Sequence, residues 1–375
     1  LTLAMSGRGH ALDLSARAAY VVDFESGTVL LSKNAETPLP PASMSKLMTL
    51  LMTFEALDDG RLSISQTLPV SEHAMSYGGS TMFLDTTDRV SVEDLLRGII
   101  VLSGNDACAV LAEALSPDGT EAGFARMMNE RGKQRGLTAS IFANSNGWPA
   151  AGHRMSMRDL VIVATMLIEN YPQYYSLFSE KEFQFDGRAP ANTQNRNPLL
   201  GLGIGADGLK TGHTSEAGYG LVGSAVQGDR RVVFAMSGME STADRALEAE
   251  KVVNWSFRQF MKKKVTEKGA VLGQADVWMG SADRVGIMVP EDYEILLPRP
   301  RSGSLNARIE YKGPLQAPIA AGEEIAELVI ERDGLDDART PLVAERSIGP
   351  AGFLPRLRMS TEVLLRSLNE GGSAN

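Results

Sequence analysis

The segment Pro41-Ala42-Ser43-Met44-Ser45-Lys46-Leu47-Met48-Thr49 sets a serine three residues ahead of a lysine at the start of a predicted helix. Leu47, Leu50, Leu51, Phe54 and Leu57 recur at helical spacing, and Asp58-Asp59-Gly60 ends the run where glycine suits a C-terminal cap. Positions three apart share a helix face, so the Ser43 hydroxyl and the Lys46 amine meet. A serine hydroxyl is a weak nucleophile until a base takes its proton. Lysine serves as that base only when burial or a nearby cation lowers its pKa. Met44, Leu47 and Met48 supply apolar surroundings. Taken alone, Ser-x-x-Lys describes a helix cap followed by a solvated lysine equally well.

Upstream, the β-rich runs 19–24 and 28–31 flank the turn Glu25-Ser26-Gly27 and read as a hairpin. Downstream, residues 91–115 read as a helical region opened by Ser91 with Asp94 three residues on. Ser103-Gly104-Asn105 interrupts it, and Cys108, Leu111 and Leu115 resume the apolar face. Cys108 reads as a small buried residue. Helices are predicted over 120–135, 157–169 (capped by Ser156, with Asp159 as a structural acid) and 243–261. Asn144-Ser145-Asn146-Gly147-Trp148-Pro149 is a loop by composition, and buried strands are predicted at 220–222 and 232–236.

Two further motifs carry chemistry. In Ser103-Gly104-Asn105, a hydroxyl and an amide two residues apart project from a break between helices. The hydroxyl can relay a proton to a leaving group, and the amide can hold a peptide. In Lys210-Thr211-Gly212-His213-Thr214, a lysine and hydroxyls on a strand beside a small glycine let a substrate backbone lie along a sheet edge, and the cation favours a carboxylate. Each alone is a weak signal, a common turn and an edge strand with a solvated lysine. The three in this order, 60 and 107 residues apart, are far more specific.

Composition narrows the rest. With 37 Lys and Arg against 46 Asp and Glu the net charge is −9, and a nucleic-acid partner is not expected. One cysteine excludes an internal disulfide, and four scattered histidines give no metal-site pattern; no metal or cofactor is expected. No run of about 18 apolar residues exists to span a membrane. Residues 1–12 read as the remnant of a signal-peptide cleavage region or as an ordinary disordered start. After Lys262 short β segments separated by Gly and Pro take over, at 277–279, 285–289, 293–297, 307–311 and 325–330. They suggest a small β-sandwich. The expected division is a catalytic domain over 13–262, a β domain over 263–350 and an amphipathic tail over 351–375.

The motifs, together with Asn34-Ala35, Gly79–Leu84, Asp94–Gly98, Asn195-Arg196-Asn197 and Asp207-Gly208-Leu209, resemble the low-molecular-mass penicillin-binding proteins that are D-alanyl-D-alanine carboxypeptidases. Val277–Gly280, Ala317-Pro318 and Pro341–Val343 resemble the C-terminal β domain of that family, and the likeness runs over roughly residues 19–360. The resemblance implies an α/β (α+β) fold, with a β-lactamase/transpeptidase-like domain whose mainly antiparallel sheet is covered by helices, followed by the β-sandwich. It implies that Ser43 forms the acyl-enzyme and Lys46 is its base, with Ser103 and Asn105 assisting proton transfer and positioning. Lys210 and Thr211 would face the substrate carboxylate, and Gly212 would be among the substrate-binding residues. The backbone N–H groups of Ser43 and His213 would form the oxyanion hole. Arg196 and Arg245 carry over as carboxylate partners less specifically. The implied partners are a peptidoglycan stem peptide and β-lactam antibiotics.

A class A β-lactamase is the nearest rival. It needs a glutamate to activate the deacylating water, and Phe142–Ser156 contains none, which favours inhibition by penicillin. A D,D-endopeptidase on the same scaffold stays open. A cell-wall scaffold protein with dispensable catalysis is the reading of another class, and retention of all three motifs argues against it. Residues 352–368, with Phe353, Leu354, Leu357, Leu364, Leu365 and Leu368 beside Arg356, Arg358 and Arg366, read as a basic amphipathic helix. The expectation is an exported, periplasmic protein held by this tail on the outer face of the inner membrane; the alternative is a helix packed on the protein.

Overall fold

The computed structural model describes residues 12–299 and 305–352, so the expected signal remnant and the tail beyond Gly352 lie outside the described residues. The chain divides between Arg258 and Gln259 into two compact units. The expected join after residue 262 falls inside a strand that starts at Phe260, so the second unit begins earlier than the change in pattern suggests.

The first unit is built on strands β1 (Ala18–Asp23) and β2 (Val29–Lys33), the short pair β3 (Thr67–Pro69) and β4 (Arg89–Ser91), and β5 (Ala206–Thr214), β6 (Gly218–Gln227) and β7 (Arg230–Met239). Its helices are α1 (Lys46–Asp58), α2 (Glu72–Met75), α3 (Val92–Arg97), α4 (Asn105–Leu115), α5 (Glu121–Gln134), α6 (Met157–Asn170), α7 (Pro172–Tyr175) and α8 (Thr242–Gln259). The five-stranded sheet runs β2-β1-β7-β6-β5, and every neighbouring pair is antiparallel. Successive residues of β1, β6 and β7 are buried whichever way they point, which requires cover on both faces of the sheet. β5 is an edge strand, as an open binding edge needs.

One apolar core joins α1 (Leu47, Leu51, Phe54), α3, α4 and α6 (Leu160, Val163, Leu167) to Val22, Val222, Val233 and Ala235 of the sheet. Side-chain caps start several helices, those at Ser91 and Ser156 as the sequence suggested. Asp94 N–H donates to Ser91 Oγ at 3.1 Å, Gly123 N–H to Thr120 Oγ1 at 3.0 Å, and Asp159 N–H to Ser156 Oγ at 3.1 Å. The Ser91 hydroxyl itself donates to the Asp94 carboxylate at 2.7 Å. Asp159 is fully buried and takes Ala139 N–H and the Ser140 hydroxyl, a structural role as expected.

The second unit is β-rich: β8 (Phe260–Thr266), β9 (Val271–Trp278), β10 (Arg284–Met288), β11 (Tyr293–Pro298), β12 (Ala307–Glu310), β13 (Leu315–Gln316), β14 (Glu324–Ile330) and β15 (Ala338–Ala344). Six of them form the sheet β12-β14-β15-β10-β9-β13, and β8 pairs with β11. Ile295 of β11 lies in one core with Ala275, Ile287, Leu328 and Leu342 of the sheet, so the two layers enclose it. The lysine run 262–264 sits on β8, with Lys263 and Lys264 exposed and Lys262 half-buried.

Candidate active site

Ser43 lies in a single 3-10 turn, Ala42–Ser45, that leads into α1, not in the helix itself. Lys46 is the first residue of α1. Its side chain is fully buried, which is rare for lysine and demands partners. Lys46 Nζ donates to Ser43 Oγ at 2.8 Å, Asn105 Oδ1 at 2.7 Å and the Asn146 carbonyl at 2.5 Å. Burial lowers its pKa to about 8, the repulsion of Arg196 adding to the effect and the carboxylates of Asp106 and Glu121 opposing it. Deprotonated, the amine keeps two N–H groups and one lone pair. The two carbonyl acceptors can take only the N–H groups, so the lone pair is left facing the Ser43 hydroxyl.

The helical region 91–115 breaks as expected. α3 widens into a π turn over Gly98–Leu102, and Ser103 follows at φ 65°, ψ 33°, a left-handed conformation uncommon for serine. The reversal turns Ser103 Oγ to Lys210 Nζ at 2.9 Å. Asn105 opens α4. Its side-chain N–H donates to Gly78 O at 2.8 Å, which fixes the amide with its oxygen toward Lys46. Beneath them Asp106 accepts Met82 N–H and Leu84 N–H at 2.9 and 3.1 Å and holds the 80–84 segment against the motif.

Lys210, 2% exposed on β5, gives two of its N–H groups to Ser103 Oγ and to Thr211 O at 3.2 Å. Burial holds its pKa well below the ordinary lysine range, and the nearby Lys46 and Arg196 cations push the same way. Thr211 is buried beside it. At Gly212 a Cβ would stand 3.0 Å from Pro41 O and 3.2 Å from Met44 N, so the absence of a side chain lets β5 lie against the serine turn. His213 is exposed and stacks on Tyr219 with ring centroids 3.9 Å apart. All three motifs therefore meet in one place: Asn105 bonds Lys46, Lys210 bonds Ser103, and Gly212 lies against the serine turn.

The family model for D-alanyl-D-alanine carboxypeptidases matches residues 5–240. The chain belongs to this family. The model for the C-terminal domain of penicillin-binding protein 5 matches residues 260–349. D-alanyl-D-alanine carboxypeptidase DacD of Salmonella typhimurium is 35% identical over 353 residues, covering 92% of this chain and 89% of that protein. DacF of Bacillus subtilis is 32% identical, covering 92% and 88%. The crystal structure of penicillin-binding protein 5 from Haemophilus influenzae matches with a TM-score of 0.78 at 34% identity, over 90% of this chain and 98% of that one. Penicillin-binding protein D2 from Listeria monocytogenes, in its ampicillin-bound form, matches with a TM-score of 0.59 at 33% identity, over 66% and 99%. The family is one of serine-type hydrolases, and the expected fold class and family hold.

The two arginines carried over from the family occupy different positions. Arg196 is exposed. It donates to Ser80 Oγ at 2.6 Å and to Leu102 O at 3.1 Å, tying the 80–84 segment to the turn before Ser103. Arg245, on α8, is buried, with its guanidinium 5.7 Å from the Tyr219 ring centroid and one N–H on Arg196 O at 3.3 Å. Among the described residues its Nε is buried without a hydrogen-bond partner. Cys108 is fully buried, and burial pushes its thiol up to about 12, so it is inert filler. Among the described residues no three His, Cys, Asp or Glu side chains converge as metal ligands would.

Two contributors escaped the sequence reading, the Asn146 carbonyl and Glu121. A backbone acceptor leaves no trace in residue type. Glu121 sits in α5, outside every motif, although Thr120 before it carries a clear helix-cap signal.

Proposed function

We propose that this protein is a serine-type D-alanyl-D-alanine carboxypeptidase, removing the terminal D-alanine of a peptidoglycan pentapeptide through an acyl-enzyme on Ser43. The observation that carries it is the buried Lys46 amine, 2.8 Å from Ser43 Oγ, with its other two directions held by carbonyl oxygens. Lys46 takes the proton of Ser43 as Oγ attacks the penultimate D-alanine carbonyl. The backbone N–H groups of Ser43 and His213 receive the developing oxyanion, a contribution worth about 3 kcal/mol. Ser103 passes a proton to the departing D-alanine nitrogen, the C–N bond breaks, and water then releases the shortened peptide from Ser43. Asn105 holds the peptide. Lys210 and Thr211 receive the terminal carboxylate, which supplies the counter-charge that buried Lys210 lacks, and Arg245 and Arg196 back them. β-lactams would acylate Ser43 by the same steps and leave slowly.

The substrate lies outside the cytoplasm, so the proposal includes export to the periplasm. Residues 351–375, with leucines interleaved by arginines, would attach the protein peripherally to the outer face of the inner membrane. No described helix is long and apolar enough to cross a membrane. A truncation after Pro350 should leave anionic vesicles that the full chain binds; retention of the truncated form would contradict the anchor.

The activity is tested by D-alanine release from a diacyl-L-Lys-D-Ala-D-Ala peptide. The wild type should release D-alanine and Ser43→Ala should release none. Release by both would place the nucleophile elsewhere.

A further inference from the structure

The loop opposite the serine contains no glutamate of its own, yet a carboxylate reaches it from behind. Glu121, the first residue of α5, is buried. Its Oε1 accepts Ser145 N–H at 2.9 Å, the Ser145 hydroxyl at 2.5 Å and Asn146 Nδ2 at 3.5 Å. Its Oε2 accepts the Tyr77 hydroxyl at 2.6 Å and lies 2.7 Å from His73 Nε2. Thr49 of α1 holds the same loop from the other side, donating to Ser145 O at 2.5 Å. The carbonyl thus fixed is that of Asn146, which takes one N–H of Lys46.

We propose that Glu121 is a positioning residue for catalysis, aiming Lys46 at Ser43 through the Ser145-Asn146 backbone and holding a buried carboxylate charge behind that base. The inference rests on the acyl-serine reading above and assigns Glu121 no contact with substrate: both its oxygens are occupied by protein donors. Burial raises the Glu121 pKa, but the bonds from Ser145, Tyr77 and His73 outweigh it and hold the carboxyl below its ordinary value. It is therefore an anion at neutral pH, and its position at a helix N-terminus favours the charge. That anion stabilises the Lys46 ammonium. The other groups around Lys46 are Asp106, which acts in the same sense, Arg196 and Lys210, which oppose it, and Cys108 and His153. Cys108 stays a thiol, and burial pulls His153 down to about 4, so neither carries charge near pH 8.

Glu121→Gln separates the two roles. The amide oxygen can still accept from Ser145, while its N–H₂ faces Tyr77 and His73, so the loop stays and the charge goes. Glu121→Ala removes both. The probes are full-length proteins with 13C-labelled lysine, whose Lys46 signal is assigned by its loss in Lys46→Arg, and penicillin acylation rates from pH 5.5 to 10. In Glu121→Gln the Lys46 midpoint and the acylation limb should both move to lower pH by roughly half a unit or more, with a plateau within a few-fold of wild type. In Glu121→Ala the plateau should fall roughly tenfold or more. An unmoved Lys46 midpoint in Glu121→Gln overturns the proposal, and that variant decides alone if Glu121→Ala does not fold. A midpoint that moves in a wild type and variant that form no penicillin adduct supports the Glu121–Lys46 coupling and rejects the acyl-serine reading instead.

Discussion

Lys46 Nζ and Ser43 Oγ stand 2.8 Å apart at the end of a 3-10 turn, with Nζ also held by a side-chain and a main-chain carbonyl 59 and 100 residues away. The pair is local in sequence, but its chemistry depends on those distant acceptors. They tolerate both protonation states of the amine and leave it one direction in which to act.

The first prediction concerns pH. Burial lowers the Lys46 pKa to about 8, and the base is the neutral form. Acylation should therefore rise with pH through about 8 and level off above it. At pH 6 it should run at roughly a hundredth of the plateau. Stopped-flow acylation by a fluorescent penicillin measures the limb, and a rate flat between pH 6 and 9 would contradict Lys46 as the base.

The second concerns Gly147. It has φ +81°, and a Cβ there would stand 1.9 Å from Ala42 O and 2.7 Å from Ser45 Oγ. Gly147→Ala must push the loop off the serine turn and carry the Asn146 carbonyl away from Lys46. A displacement near 1 Å should cost roughly 100-fold in acylation rate, beyond any loss of Tm. Acylation and thermal melting on one preparation check this.

Much of the fold was legible before these contacts were visible. The caps at Ser91 and Ser156, the 19–31 hairpin and the period of α1 are local signals, and local physics decides them. The β8 strand was not legible, because Lys262-Lys263-Lys264 carries no apolar alternation and the strand is defined by its pairing with β11 some 30 residues on. Nor was the 3-10 turn at Ser43, since helical spacing does not distinguish it from the first turn of α1. Ser103, Asn105 and Lys210 could be singled out by motif. That both lysines would be buried, and that Glu121 would organise the loop beneath them, depends on contacts more than 20 residues apart in sequence.

Ser103 provides the third prediction. Its hydroxyl is the partner of Lys210 Nζ at 2.9 Å and is placed to protonate the leaving amine. Ser103→Ala should lower kcat for D-alanine release by about 10²–10⁴, the usual worth of a positioned proton donor. Steady-state kinetics on the peptide read it, and an unchanged kcat would remove Ser103 from the proton path.

The fourth is a stability prediction away from the site. Arg230, at the start of β7, donates through Nε and Nη2 to Asp23 Oδ2 at 3.0 and 2.9 Å, and Asp23 is fully buried. Asp23→Ala removes the carboxylate from a buried ion pair, leaving the guanidinium its weaker contacts to Ser256 O, and should cost about 3 kcal/mol of unfolding free energy in a urea titration. The folded fraction should acylate at the wild-type rate, because neither residue touches Ser43 or Lys46.

The most direct test of the central claim is to map the penicillin adduct. After brief exposure to penicillin and proteolysis, mass spectrometry should place one penicilloyl group on Ser43, and Lys46→Arg, whose guanidinium stays protonated, should carry none. A stable adduct on any other residue, or acylation of the Lys46→Arg variant at the wild-type rate, would contradict the account.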